Sequence, residues 1–472
     1  MRPPGAAPGV RRLRYDYTQG PIGRGLLYLA VPVFMEQIAW NVDTIVEIYW
    51  VGRLGESAIA AMSLGFMVTM FVRSGGLGIR VAGQALVAQR IGAGDPEGAA
   101  SLAGQMLLLH ALYFLPLSLL GALLSEEIMR AFTQDPEIVR IGGAYLRASF
   151  WVLLLTDGIF AFASIFRAAG ESLISVWPMA ASSVVTFAAM PLFILGAGPL
   201  PAFGLAGASW GLGAGRLLGC AVMAAALLGG LSRVRLRPAH LLPSPELMRR
   251  VLRLAWPAGT QVLFERSANI VLVGMLSRFG PLALAAWGVG NRVNNMGLTP
   301  GYSFQGSGRT LVGQNIGARL PERARRAAWA SLGASAAVMA VVAAGVFLWA
   351  EPMVRFFGMQ GEGVPAGVLC MRVLSLGMAF EAARRTLSGV FEGAAMPAPP
   401  MVVEAVVRWG VLLPGAWLLS TPLGAREAGV WWAVAGSQAV GGAALFAWFV
   451  TAWQRRVRAM AARPAEGGSS RP

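Results

Sequence analysis

The chain has 472 residues, of which 56% are hydrophobic and only 13% charged, and its net charge is +16. Soluble proteins carry roughly 25% charged residues, so a water-soluble globular fold is excluded. A basic balance can signal nucleic-acid binding, but the basic residues here are arginines without a single lysine, and most lie between long apolar stretches, which points to membrane topology and to no nucleic-acid partner.

Met1–Arg24 is rich in Pro, Gly and Arg and has no apolar core. No cleavable signal is expected there, and the first spanning helix is expected to act as its own insertion signal. Twelve apolar stretches follow, each long enough to cross a bilayer at about 20 residues. They lie at 25–52, 57–89, 98–124, 139–166, 172–198, 203–231, 248–277, 282–314, 323–349, 365–391, 398–420 and 427–454. Several hold an interior Pro or Gly pair, so kinked or broken helices are expected. The organisation reads as a tail 1–23, a six-helix lobe 24–231, a linker 232–248, a second six-helix lobe 249–454 and a tail 455–472.

Arginine sets orientation in such a chain. One side collects Arg2, Arg11, Arg12, Arg14 and Arg24; Arg233, Arg235, Arg237, Arg249 and Arg250; Arg319, Arg323, Arg325 and Arg326; and Arg455, Arg456, Arg458 and Arg463. The opposite loops hold Arg53, Arg130, Arg278, Arg355 and Arg426. Both termini are therefore expected in the cytoplasm of a cell-membrane protein. His240 lies in the basic linker and is expected to be solvated. Cys220 and Cys370 are isolated in apolar segments and read as small buried hydrophobes, with no disulfide or metal spacing.

Residues 24–97 recur 225 positions later without a gap, as in Pro32/Pro257, Gly55/Gly280, Gln89/Gln314, Gly92/Gly317 and Pro96/Pro321. With six spans per unit, both halves insert the same way up. A duplicated membrane unit is the mark of a secondary transporter whose halves rock about a central site.

Glu36, Asp43 and Glu47 lie in the first span at spacings of seven and four, on one narrow helical stripe with no basic residue between them. Three carboxylates on one face cannot meet lipid and should line a wet cavity, where mutual repulsion favours holding a proton. The alternative is a structural stripe paired with arginines of other helices. Glu265 in the seventh span and Glu381 in the tenth offer oxygen ligands for a Na+ or H+ site; the alternative is two separate ion pairs, because Arg266, Arg384 and Arg385 are adjacent in sequence. Asp157 in the fourth span is a further acid, and Asn291, Asn294 and Asn295 could add neutral oxygens. Arg73, Arg80 and Arg309 are intramembrane cations. In the cavity they would favour anionic groups; otherwise they pair with Glu36, Asp43 and Glu47 or lie near the cytoplasmic interface. Glu404 and Arg408, four apart, are expected to pair. Phe71, Trp287 and Phe304 are candidates for an apolar drug pocket. Pro32 and Pro257 are expected hinges.

Leu29-Ala30-Val31-Pro32, Trp50-Val51-Gly52-Arg53-Leu54-Gly55, Leu86-Val87-Ala88-Gln89-Arg90-Ile91-Gly92-Ala93-Gly94-Asp95 and, in the second half, Leu254-Ala255-Trp256-Pro257, Gly288-Val289-Gly290-Asn291-Arg292 and Leu311-Val312-Gly313-Gln314-Asn315-Ile316-Gly317-Ala318 resemble the multidrug and toxic compound extrusion (MATE) family. Phe166-Arg167-Ala168-Ala169-Gly170-Glu171-Ser172 is similar to that family's signature at the end of the fourth helix. The resemblance spans residues 22–455 and implies an all-α membrane fold of twelve helices in two six-helix bundles around a V-shaped cavity. It implies export of organic cations or drugs in exchange for Na+ or H+, with no enzymatic activity and no cofactor, by a protein working as a monomer. The family's superfamily also contains flippases of lipid-linked oligosaccharides, so an anionic cargo stays open. The family's first-helix acid lies five residues before the glycine of Val51-Gly52-Arg53-Leu54-Gly55, which implies Glu47 here, and Glu265 and Glu381 match acidic cation-site positions of the NorM-type branch. An acid that another branch carries before the fifth-helix proline is absent: the pair here is Met190-Pro191.

Overall fold

A computed structural model of the chain describes residues 15–196, 201–361, 363–453, 455, 457 and 459. The orientation arginines Arg2, Arg11, Arg12, Arg14, Arg456, Arg458 and Arg463 lie outside these. The first half runs α1 (Ile22–Gly52), α2 (Glu56–Gly92), α3 (Pro96–Leu123), α4 (Ser125–Phe132), α5 (Pro136–Ala169), α6 (Ser172–Leu195) and α7 (Leu205–Leu228). The second runs α8 (Pro245–Leu276), α9 (Pro281–Gly297), α10 (Thr299–Gly317), α11 (Pro321–Leu348), α12 (Ala350–Phe356), α13 (Gly363–Gly393), α14 (Ala398–Ala405), α15 (Leu413–Ser420) and α16 (Arg426–Trp448). No strand occurs among the described residues.

Ten helical segments are long and apolar enough to cross a membrane. Two further spans complete the twelve. One is α8, whose first turns carry Arg249, Arg250 and Arg253. The other is the pair α9–α10, broken at Leu298 just ahead of Pro300, whose missing N–H cannot continue the ladder. The eleventh span is α14 and α15 joined by a π-helical turn at Val406–Leu412. Pro414 follows directly and leaves a carbonyl of that turn without a donor.

Punctuation at the helix ends follows local chemistry. Asp95 caps α3 by accepting from Gly98 N–H at 2.8 Å, and Asp135 caps α5 by accepting from Glu137 N–H at 2.9 Å, each with proline at the first helical position. The duplication is visible in the backbone. Left-handed residues recur 225 apart: Gly55/Gly280 at φ 103° and 94°, Gly94/Arg319 at 74° and 58°, and Gly170/Ala395 at 81° and 56°. The last pair closes its helix identically, Glu171 N–H donating to Phe166 O at 2.8 Å and Met396 N–H to Phe391 O at 2.9 Å.

By contact the chain forms two compact units. Among the described residues one comprises 27–87 and 95–267, the other 16–26, 88–94 and those from 268 onward. In the first unit a glycine stripe on α7 at four-residue spacing (Gly207, Gly211, Gly215, Gly219) lets this helix close on α6. A Cβ at the first three would meet backbone of Phe193, Met190 and Ser182. Small residues provide close approach where lipid supplies no hydrophobic drive between helices. The linker after α7 is latched to α3 of the same unit. Gln105 donates to His240 O at 2.9 Å and Leu242 O at 2.7 Å, and accepts from Ser244 N–H at 2.9 Å. His240 is therefore buried, not solvated as expected, with Nε2 2.8 Å from Glu97 Oε1 and Nδ1 accepting from Arg237 N–H. Cys220 and Cys370 are buried free thiols.

The left-handed Ala395 yields a prediction. A non-glycine residue in this region costs roughly 1–2 kcal/mol, partly offset by the freedom glycine adds to the unfolded chain. Ala395→Gly should raise stability by about 0.5–1 kcal/mol, measured as a higher melting temperature in detergent. A lower melting temperature would contradict the assigned backbone.

Candidate functional site

The acids of α1 lie on one stripe as expected, but each has its own partner in the first unit. Glu36 accepts from Arg167 Nη1 at 2.5 Å and from Ser175 Oγ at 2.5 Å. Asp43 accepts from Arg216 Nη2 at 2.5 Å, and the same guanidinium donates through Nη1 to Ser182 Oγ at 3.1 Å. Glu47 accepts from the Tyr145 hydroxyl at 3.0 Å. Mutual repulsion along the stripe is thus relieved by arginines of α5 and α7. Arg73 and Arg80, the expected partners, are engaged elsewhere.

Both of those arginines converge on Asp157, which is completely buried. Arg73 Nε donates to Oδ1 at 3.2 Å, Arg80 Nε stands 3.3 Å from Oδ2, and His110 Nε2 lies 3.0 Å from Oδ2. Asp157 therefore neutralises cations here, whereas the sequence suggested an ion-coupling acid. Trp40 and Phe160, in edge contact at 5.3 Å, form an aromatic floor. Arg73 lies 4.8 Å and Arg216 5.7 Å from the Trp40 ring, and Arg80 5.5 Å from Phe160. A desolvated guanidinium on an aromatic face gains about 2 kcal/mol.

Asp43, Glu47, Arg73 and Arg216 line one cavity together with Trp40, Thr44, Thr69 and Tyr145. Its volume is about 50 Å³, enough for a few waters or a small ion. The Asp43 Oδ1 atom is buried there without a hydrogen-bond partner. Among the described residues Glu47 has no ion-pair partner, and Tyr145 is its hydrogen-bond donor. Glu36, placed in a substrate cavity by the sequence reading, is sealed in its ion pair and does not line this one. Nor do Phe71, Trp287 or Phe304: Phe71 is half exposed, while Trp287 and Phe304 are buried, Trp287 in a core with Leu272, Cys370 and Trp431.

Glu381, in the second unit, is enclosed by guanidinium groups. Arg384 donates to both its oxygens at 2.7 and 3.0 Å, and Arg385 Nε lies 2.7 Å from Oε1. Arg384 also pairs with Glu404, which accepts from Arg408 at 2.7 Å. The Glu404–Arg408 pair is as expected. The expected cation site at Glu265 and Glu381 meets a physical obstacle, because an ion at Glu381 would face three arginines. Glu265 is half-buried and belongs to the first unit, Glu381 to the second. Arg309 pairs with Glu392 at 2.5 Å, and Ser388 donates to the same carboxylate at 3.0 Å. Asn294 is buried in the second unit, with Asn291 part-exposed and Asn295 exposed.

Sequence reading singles out none of Arg216, Arg167 as a partner, Tyr145 or Glu392. A signal existed for Arg216, a lone charge in the middle of an apolar, glycine-rich span. Tyr145 carries none, since aromatic residues in such helices are mostly core.

Twelve spans in a duplicated order, with charge buried at mid-span, define an α-helical membrane transporter of the duplicated type. The chain belongs to the MatE family, whose model matches residues 32–192 and 257–418, two blocks that begin at the repeat mates Pro32 and Pro257. It is 29% identical over 437 residues to the probable multidrug resistance protein NorM of Deinococcus radiodurans, covering 90% of this chain and 95% of that one. It is 25% identical over 360 residues to the FAD transporter of Shewanella oneidensis, covering 73% and 76%. The fold matches a crystal structure of MATE in the straight conformation with a TM-score of 0.86 at 20% identity, over 97% and 99% of the two chains.

The Asp43–Arg216 pair yields a prediction. Removing one partner of a buried ion pair costs about 3–5 kcal/mol, whereas replacing both with apolar groups can be neutral. Arg216→Met should markedly lower the melting temperature, and Asp43→Leu/Arg216→Met should recover most of it. A double variant no more stable than the single one would contradict the pairing.

Proposed function

We propose that this protein is a secondary active exporter that moves amphipathic organic cations, drugs or toxic metabolites, across the cell membrane in exchange for Na+ or H+. Glu47 carries this reading. It is a carboxylate with no ion-pair partner among the described residues, it lines a cavity of ion size, and its neighbour Asp43 has an oxygen to spare. A small cation and the charge of an organic cation can compete for such a group, and competition is what couples two fluxes. The likeness to a probable multidrug resistance protein supports the cargo class. The protein works as a monomer with both termini in the cytoplasm, and its hinges are Pro32 inside α1 and Pro257 inside α8, where a proline leaves a helical carbonyl unbonded.

A second reading, an anionic cargo, is favoured by Arg73 and Arg216 on the wall of the same cavity and by the likeness to an FAD transporter.

In proteoliposomes with an imposed Na+ or pH gradient, the protein should drive ethidium transport, and Glu47→Gln should slow it at least tenfold with normal insertion. A wild-type rate in Glu47→Gln would overturn the assignment. Pro32→Ala should slow the same transport and change the accessibility of cysteines engineered on either side of residue 32; unchanged accessibility would place the hinge elsewhere.

A further inference from the structure

Helix α9 has two faces. Ala283, Ala286, Trp287, Gly290, Val293 and Asn294 are buried in the second unit. Leu282, Ala285, Gly288, Arg292 and Asn295, spaced three or four apart, form an exposed stripe. Between this stripe and the turn at Phe357–Gln360 lies a groove of about 600 Å³, inside the usual range for a small-molecule site. Its walls are apolar or backbone apart from Gln360 and Arg292, and Arg292 is the one charged side chain among the lining residues.

The position of Arg292 makes that charge informative. It lies eleven residues after Pro281, about 16 Å along the helix, and so inside the apolar span formed by α9 and α10 rather than in the loop that precedes it. A guanidinium there cannot face lipid without a large cost, so this stripe is wet or meets an anion. Arg292 has no hydrogen-bond, ion-pair or ring partner among the described residues, whereas Arg73, Arg216, Arg309 and Arg384 are each held by a carboxylate. Its repeat mate in the first half is Met67, so the charge belongs to a feature of one half and not to the shared scaffold. Open space adjoins it: a Cβ at Gly288, one turn away, would meet nothing within 4 Å.

We propose that this groove binds an amphipathic organic anion. Its carboxylate or phosphate rests on the Arg292 guanidinium, and its apolar body lies against Leu282, Val289, Phe357 and Met359. Such a site adds organic anions and zwitterions to the cargo and in that respect rests on the exporter reading; binding itself needs no gradient.

Two probes with one aromatic body and opposite charge test it: dansylglycine, an anion, and dansylcadaverine, a cation. Binding to the purified full-length protein in neutral detergent is read by fluorescence. The wild type should prefer dansylglycine, and Arg292→Gln should reduce its affinity at least tenfold while leaving dansylcadaverine and the melting temperature unchanged. Gly288→Leu, which fills the groove and keeps the charge, should weaken dansylglycine as well. Unchanged dansylglycine affinity in either variant would overturn the proposal. So would stoichiometric displacement of dansylglycine by added phosphatidylglycerol, which would make the groove a lipid site. Failure of the exporter reading shows separately, as gradient-driven ethidium transport absent from the wild type while both binding results hold.

Discussion

A carboxylate carried into the hydrocarbon layer has to be neutralised or wetted, and the rest of this structure is arranged around that requirement. The chain has no lysine, and arginine meets the need. A guanidinium fork can hold a carboxylate from another helix and still donate elsewhere, as Arg216 does for Asp43 and Ser182 and Arg384 does for Glu381 and Glu404. These pairs tie α1 to α7, α1 to α5, α2 to α5 and α10 to α13. The glycine stripe on α7 lets the helix holding Arg216 come near enough to serve both α1 and α6. Glu47 is the exception: among the described residues a hydroxyl and no arginine holds it, and this is why we propose it as the exchangeable acid.

Much of the fold was legible in the sequence because it rests on local chemistry and on repetition. Span length, arginine placement and the 225-residue repeat each follow from composition along the chain. The recurrence of a left-handed turn at Gly170/Ala395 extends the repeat past the stretch where residue identity reveals it. The site was legible only in part. Helical spacing placed Glu36, Asp43 and Glu47 on one face, but their partners lie 131, 173 and 98 residues away, and no periodicity reports a contact at that range. The same holds for His240: its loop composition reads as solvated, while Gln105 and Glu97 of a distant helix bury it. Trp287 and Phe304 failed as pocket candidates because an aromatic ring in an apolar helix looks the same whether it faces core or cargo.

The two halves share a scaffold and not a charge pattern. Glu36, Asp43 and Glu47 correspond to Gln261, Ala268 and Leu272; Asp157 corresponds to Ala382 and His110 to Ser335. Duplication thus supplies a shared helical scaffold, while the first unit keeps a cavity lined by Asp43 and Glu47 and the second a cluster of arginine-bound acids and Arg292. On the reading we propose, the first half reads the coupling ion and the second contributes to cargo binding.

On the reading proposed, a small cation and an organic cation compete for Glu47. Ion release on cargo binding tests this most directly. Purified protein in weakly buffered detergent is titrated with tetraphenylphosphonium, with pH and Na+ activity followed together. Release of about one H+ or Na+ per organic cation bound is expected, since linkage requires each ligand to weaken the other, and that release should be lost in Glu47→Gln. Binding of tetraphenylphosphonium with neither ion released would contradict it.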